Sequence, residues 1–189
     1  MLQLVEMAPL SPEQLRPLRR SEYDRLVEQG CFEDERVELL HGIIVTMSPQ
    51  GPRHATVIEK LTMLMVPAVL GRASVRVQSP LAASEDSEPE PDLVVVTRGP
   101  RPHGHPDTAF LAIEVAQTSV AKDRRIKAGI YAASGVIEYW VVNLPDDCVE
   151  IYTDIENGAY RKCRRAGRGD TITLQAFADI TVPVDEFLG

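Results

Sequence analysis

Two acids in this chain stand against strongly apolar runs. Asp92 follows Pro91 and opens Leu93-Val94-Val95-Val96, while Glu114 closes Phe110-Leu111-Ala112-Ile113 and is followed by Val115. A carboxylate at the end of a buried strand is costly to desolvate unless something neutralises it. If the two runs pair as antiparallel neighbours, the start of the first lies beside the end of the second, and the acids converge on one sheet edge. Oxygen donors placed this way suit a hard divalent cation. Magnesium needs only one or two carboxylates and keeps several waters. The pair therefore points to a metal site, with Asp92 as a bridging ligand and the Val115 carbonyl as an extra oxygen. A water acidified by such a cation can attack a phosphodiester. Taken singly, each acid reads more simply as a strand-end carboxylate reaching solvent; the pairing favours the metal.

Lys127 lies four residues after Asp123 and four before Tyr131, so the three share one helical stripe. One reading is an ordinary surface Asp–Lys pair with Tyr131 half buried. The other is a cation that orients the attacking water or stabilises charge developing on phosphorus. Ile126, Ile130 and Ala133 form the neighbouring apolar stripe, expected to pack on the sheet. Glu38, in Val37-Glu38-Leu39-Leu40, is either an edge residue facing water or a third carboxylate near the cation. His54 reads either as a proton carrier or as a hydrogen-bonded structural residue. His103-Gly104-His105 reads as a loop, and Glu85 to Glu90 as a solvated acidic loop. Arg161-Lys162-Cys163-Arg164-Arg165 with Arg168 is the basic cluster, free to meet nucleic acid, a partner's acids or nothing.

The elements that must position these groups alternate in type. Ser21 serves as the expected N-cap of a helix ending near Gly30. Val37 to Val45 reads as a hairpin turning at His41-Gly42. From His54 to about Leu70, Val57, Ile58, Leu61, Met65 and Val66 recur at helical spacing. A strand at Val75–Val77, the two acid-bearing strands, a helix from Ser119 to Ser134 and an apolar central strand at Ile137–Val142 follow. Val149–Tyr152, Tyr160 and Ile172–Leu174 complete an antiparallel meander. The pattern predicts one mixed α/β domain over residues 21–189 behind a flexible lead-in, residues 1–20.

Bulk properties narrow the function. The 189 residues carry a formal charge of −8, which counts against strong nonspecific binding to a phosphate backbone but allows a local basic face or a metal-bridged contact. No apolar run approaches the roughly 20 residues that span a bilayer, and the first ten residues lack the basic cluster of a secretory signal. The three cysteines are widely spaced. They suggest neither a disulfide framework nor a thiolate zinc site, and they fit a reducing cytoplasm.

The ordered set Val37-Glu38-Leu39-Leu40-His41-Gly42, Met47-Ser48-Pro49 with His54, and Ser87-Glu88-Pro89-Glu90-Pro91-Asp92 resembles the Uma-two family of restriction-endonuclease-like proteins. So does the later set Ile113-Glu114-Val115, Ser119, Asp123, Lys127, Tyr131-Ala132 and Gly135 to Trp140. The resemblance runs from about Glu22 to Tyr152. It implies a PD-(D/E)XK nuclease fold, a mixed central sheet flanked by helices, often dimeric and using Mg²⁺ or Mn²⁺ to cleave DNA. By position, Asp92 and Glu114 match the acidic metal ligands and Glu38 the upstream acid. The superfamily's lysine two residues after the second acid is Ala116 here, and the resemblance assigns that charge to Lys127 on the next helix. A catalytically silent nucleic-acid-binding or assembly module with the same fold is the alternative this departure raises.

Overall fold

The computed structural model describes residues 15–100 and 104–189. Residues 1–14 of the expected lead-in, and His103, lie outside the described residues. The elements are α1 (Arg20–Glu28), β1 (Val37–Leu40), β2 (Ile43–Thr46), α2 (Pro52–Ala68), β3 (Ala73–Val77), β4 (Leu93–Thr97) and β5 (Leu111–Ala116), followed by α3 (Val120–Lys122). A π-helical turn (Asp123–Lys127) then leads into α4 (Ala128–Ala133). After it come β6 (Glu138–Asn143), β7 (Cys148–Glu156), β8 (Ala159–Ala166), β9 (Thr171–Leu174), β10 (Phe177–Pro183) and α5 (Asp185–Leu188).

The central sheet has six strands in the order β3-β4-β5-β6-β7-β8. Only β5 and β6 run parallel; the other pairs are antiparallel. Because side chains alternate along a strand, Leu93, Val95, Leu111, Ile113, Trp140 and Val142 face the layer built by α2 and β9–β10. Val94, Val96, Ala112, Ala116, Tyr139 and Val141 face the α4 side with Tyr131. The sheet is thus buried on both faces, which explains why β4, β5 and β6 read as nearly continuous apolar runs.

In the β4–β5 pairing Leu93 lies opposite Ile113, and Val95 opposite Leu111. Extending that register by one residue sets Asp92 beside Glu114. Alternation puts both on the α4 face. The β1–β2 hairpin turns at His41 (φ 50°) and Gly42 (φ 75°), the left-handed pair a two-residue turn of this hand requires. A Cβ on Gly42 would also fall 2.3 Å from the Pro17 side chain, so the turn admits no side chain there.

Several expectations need correction. Helix α1 starts one residue before Ser21, with Arg19 as N-cap, because the Glu22 carboxylate accepts a hydrogen bond from the Arg19 backbone N–H at 2.9 Å. The acidic 84–90 segment is not wholly solvated: it runs along β1 through a Leu39–Glu88 bridge, burying Ser87 and Glu88. Strand β9 pairs with β10 in a separate two-stranded sheet and does not extend the meander. Of the apolar stripe of the 119–134 helix only Ile130 is buried: Ile126 is 39% exposed and Ala133 is exposed, while Asp123, Lys127 and Tyr131 are buried beside it.

Candidate metal and phosphodiester site

Glu38 sits at the middle of the hairpin strand β1. α1 covers one end of that strand, where the Tyr23 hydroxyl donates to the Val37 carbonyl at 3.1 Å. The 84–90 segment runs alongside it. Glu38 is therefore 0% exposed, which excludes the solvent-facing reading. Lys122 Nζ donates to its Oε1 at 2.8 Å, and Lys127 Nζ lies 2.8 Å from its Oε2. The backbone N–H of Glu90 also reaches Oε2, at 3.3 Å.

Lys127 bridges the two sides of the site. Its ammonium, on a side chain 2% exposed, also donates to Glu114 Oε1 at 2.9 Å. The Tyr131 hydroxyl donates to that same oxygen at 2.6 Å. The π-helical turn is what allows this. In a regular helix Lys122 and Lys127, five residues apart, would point about 140° from each other, and the wider π-helical turn closes that angle so that both reach Glu38. Such turns are common at functional sites. The expected Asp123–Lys127 pair on one stripe is replaced by a different arrangement: Asp123 Oδ2 accepts from the Ser119 hydroxyl at 2.6 Å, and its backbone carbonyl accepts from Tyr139 at 3.2 Å.

Asp92 is fixed from the neighbouring strand and from α2. The Val115 N–H donates to Asp92 Oδ2 at 2.8 Å, and His54 Nε2 lies 3.2 Å from the same oxygen. Among the described residues, no hydrogen bond engages Asp92 Oδ1 or Glu114 Oε2. Both residues line one cleft of about 480 Å³, together with Val115, His54, Lys122 and Lys127. Arg36, Gln117 and Ser119 also line it.

Charge in this cluster is unbalanced. Burial would raise the Glu38 carboxyl, but Lys127 and Lys122 hold it below its usual value. Burial would likewise strip the proton from Lys127, yet Glu114, Glu38 and Asp123 hold it above the ordinary lysine range. Glu114 moves the other way. Burial, with the charges of Asp123, Asp92 and Glu38, outweighs Lys127 and lifts it well above the usual carboxylate range. Asp123 is lifted too, mainly by burial. Four carboxyls thus share two ammonium groups, and the surplus falls on Glu114. A hard dication is the group such a donor set fits: two carboxylates with unengaged oxygens and a shortage of positive charge.

A second acidic group lies elsewhere. Asp146, Cys148 and Glu150 bring one ligand atom each within 4.8 Å of one another; the Asp92–Glu114 pair has no third side chain that closes so tightly among the described residues. Glu150, however, is already saturated. Arg124 Nε donates to Oε2 at 2.7 Å, a second Arg124 nitrogen and Arg165 reach Oε1, and Tyr152 donates to Oε2 at 3.2 Å. Burial would raise its carboxyl, but these partners and Asn143 hold it low.

The structure brings Glu38, Asp92, Glu114, Val115 and Lys127 to one place and adds Lys122, Asp123, Tyr131 and His54 around them. Lys122 was missed because its contact depends on the π-helical turn, for which the sequence carries no signal. The Arg161–Arg165 cluster does not join the site: Arg161 pairs with Glu156, Lys162 with Asp154, and Arg165 with Glu150 on β8's outer edge. His105, from the 103–105 loop, lies near Glu88 and Arg76.

The chain is thus a six-stranded mixed sheet covered on both faces by helices and a small second sheet. A family model described as "Uma2: Putative restriction endonuclease" matches residues 20–185, and the chain belongs to that family. Among solved structures it is similar in fold to a putative nuclease of the DUF820 family from Anabaena variabilis. The TM-score is 0.70 at 16% identity, covering 91% of this chain and 98% of that one. The comparison with curated proteins gave no match.

Proposed function

We propose that this protein is a divalent-cation-dependent nuclease that hydrolyses phosphodiester bonds of DNA in the cleft between β4, β5 and the α3–α4 helix. The observation that carries the reading is the pairing of Asp92 and Glu114 on adjacent strands, each with an unengaged oxygen, beside a buried ammonium. The descriptions of the family and of the structural neighbour favour nucleic acid as the substrate.

In this reading Asp92, Glu114 and the Val115 carbonyl hold Mg²⁺ or Mn²⁺. A cation bound there supplies Lewis-acid polarisation of the phosphate and acidifies water. The chain's own groups do the rest. Lys127 and Tyr131 fix Glu114 Oε1, and Val115 N–H fixes Asp92 Oδ2, so neither carboxylate reorients as the substrate reacts. Lys127, kept ionised, places positive charge where the phosphate gains negative charge. Glu38 touches no substrate and acts as the positioning residue that holds both lysines. Lys122 and Arg36 line the cleft, each already paired with an acid (Glu38 and Glu90), so the bound cation supplies most of the positive charge a flanking phosphate would meet. The proposal extends to one domain over 21–189, a homodimer, and a cytoplasmic location.

The test is incubation of the full chain with supercoiled and linear DNA in Mg²⁺ or Mn²⁺. Cleavage is expected, with a loss of at least about a hundredfold for Glu114→Gln or Lys127→Ala. Absence of cleavage with the cation bound would leave the silent binding or assembly module, to which Ala116 lends support.

A further inference from the structure

We propose that a second cleft, between α1 and the 80–90 segment, binds a small organic cation of the alkylguanidinium kind, with Glu88 as its counter-ion. This cleft and the one proposed for the metal share Arg36 as a common wall. Asp92, Glu114 and Lys127 line only the first, and Glu88 lines only the second. The inference therefore stands apart from the nuclease reading.

The cleft has a volume of about 840 Å³, within the range of small-molecule sites. One side is apolar. The Tyr23 and Phe32 rings stack there with centroids 5.9 Å apart, and Val27 and Val37 continue the surface. Val27 is 50% exposed, so this wall lies open to an occupant. The other side carries the charge.

Glu88 is the group without a partner. It is 4% exposed, and its Oε2 is buried with no hydrogen-bond partner among the described residues. Arg20 stands 3.8 Å from that oxygen and His105 3.9 Å from the other, both too far to donate. Each nearby cation is also committed elsewhere. Arg20 lies 3.7 Å from Asp24 and donates its Nε to the Ser84 carbonyl. Arg36 pairs with Glu90. Burial and the charge of Arg76 disfavour the charged form of His105. Asp24, Glu28 and Glu35 line the cleft beside Glu88 and Glu90, so five acids face two arginines. Burial, with the charge of Asp24, lifts the Glu88 carboxyl to about 7, as expected where positive charge is short.

The two walls together select the ligand. A phosphate would meet an excess of acids, and a neutral apolar molecule would leave Glu88 unmet. A bare metal ion would find no use for the aromatic wall. A guanidinium serves both sides, because it is weakly hydrated, donates to a carboxylate and stacks on aromatic faces.

The test is a nuclear magnetic resonance titration of the full chain with butylguanidinium and, in parallel, with its neutral isostere butylurea. Saturable binding of butylguanidinium is expected, at least about tenfold tighter than that of butylurea. Glu88→Gln keeps the shape and removes the charge, and should weaken binding by at least about tenfold. The butylurea comparison needs no substitution, so it stands even if Glu88→Gln folds poorly. Glu114→Gln should bind as the parent does; loss of binding there would put the ligand in the first cleft and overturn the proposal. Equal affinity for the two compounds, or undiminished binding by Glu88→Gln, overturns the role of Glu88. Absence of binding at millimolar concentration overturns the cleft as a cation site.

Discussion

Two clusters of buried charge lie on the same sheet, and they are built to opposite ends. Around Glu150, two guanidinium groups, an amide and a phenol converge on one carboxylate, which they hold ionised below its ordinary range. Around Lys127, the ratio is inverted: Glu38, Glu114 and Asp123 compete for it, Lys122 hydrogen-bonds Glu38 and eases Asp123 only through its charge, and Glu114 is driven upward. The Glu150 group has the tighter cluster of ligand atoms but no charge left to offer. The Glu114 group is looser, yet lacks the positive charge that a dication brings. Compactness of acidic atoms is thus a poorer guide to a cation site than whether their charge is already met.

The largest expected contrast is in stability. Lys127→Ala leaves Glu38 and Glu114 buried without their shared counter-ion and should destabilise by about 3–5 kcal/mol. Arg124→Ala should cost about 1–2 kcal/mol, because Arg165, Asn143 and Tyr152 still serve Glu150. Urea unfolding of both variants checks the pair; equal losses would erase the distinction.

Next is the response to metal. At a free Mn²⁺ concentration about a hundred times its dissociation constant, folding should be stabilised by about 2.7 kcal/mol. Glu114→Gln should remove that gain and Glu150→Gln should keep it, as read by thermal shift.

A third buried acid sharpens the comparison through pH. Among the described residues, Glu88 has only distant cations, Arg20 at 3.8 Å and His105 at 3.9 Å. Burial, with the charge of Asp24, lifts its carboxyl from 4.5 to about 7. Because the folded value is the higher, its favourable contribution is full below pH 4.5 and is lost as pH rises through about 7. Glu88→Gln should therefore be more stable than the parent at pH 8, by about 1–3 kcal/mol, with the advantage gone at pH 4. The smallest effect belongs to Arg161→Ala, an exposed pair with Glu156, expected to change stability by less than about 0.5 kcal/mol.

How much of this was legible in the sequence follows the physics of each element. The β4 and β5 runs announced themselves because burial on both faces demands unbroken apolar residues, and their acids stood out against them. The hairpin turn at His41-Gly42 was legible because its backbone conformation restricts residue type. The helix 119–134 was legible as a helix but not in its orientation. Helical periodicity assumes that the apolar stripe faces inward, whereas here only Ile130 of that stripe is buried. Lys127, Asp123 and Tyr131 are buried too, Lys127 and Tyr131 meeting Glu38 and Glu114 from β1 and β5 and Asp123 meeting Ser119. Lys122 was invisible for the same reason, since a π-helical turn leaves no mark in residue type. The Asp92–His54 contact joins α2 to β4 through tertiary packing alone.

The most direct test of the central claim is calorimetric titration of Mn²⁺ into the parent, Glu114→Gln and Glu150→Gln. One bound equivalent in the parent and in Glu150→Gln, with binding lost in Glu114→Gln, is the predicted result. Binding that survives in Glu114→Gln and vanishes in Glu150→Gln would contradict it.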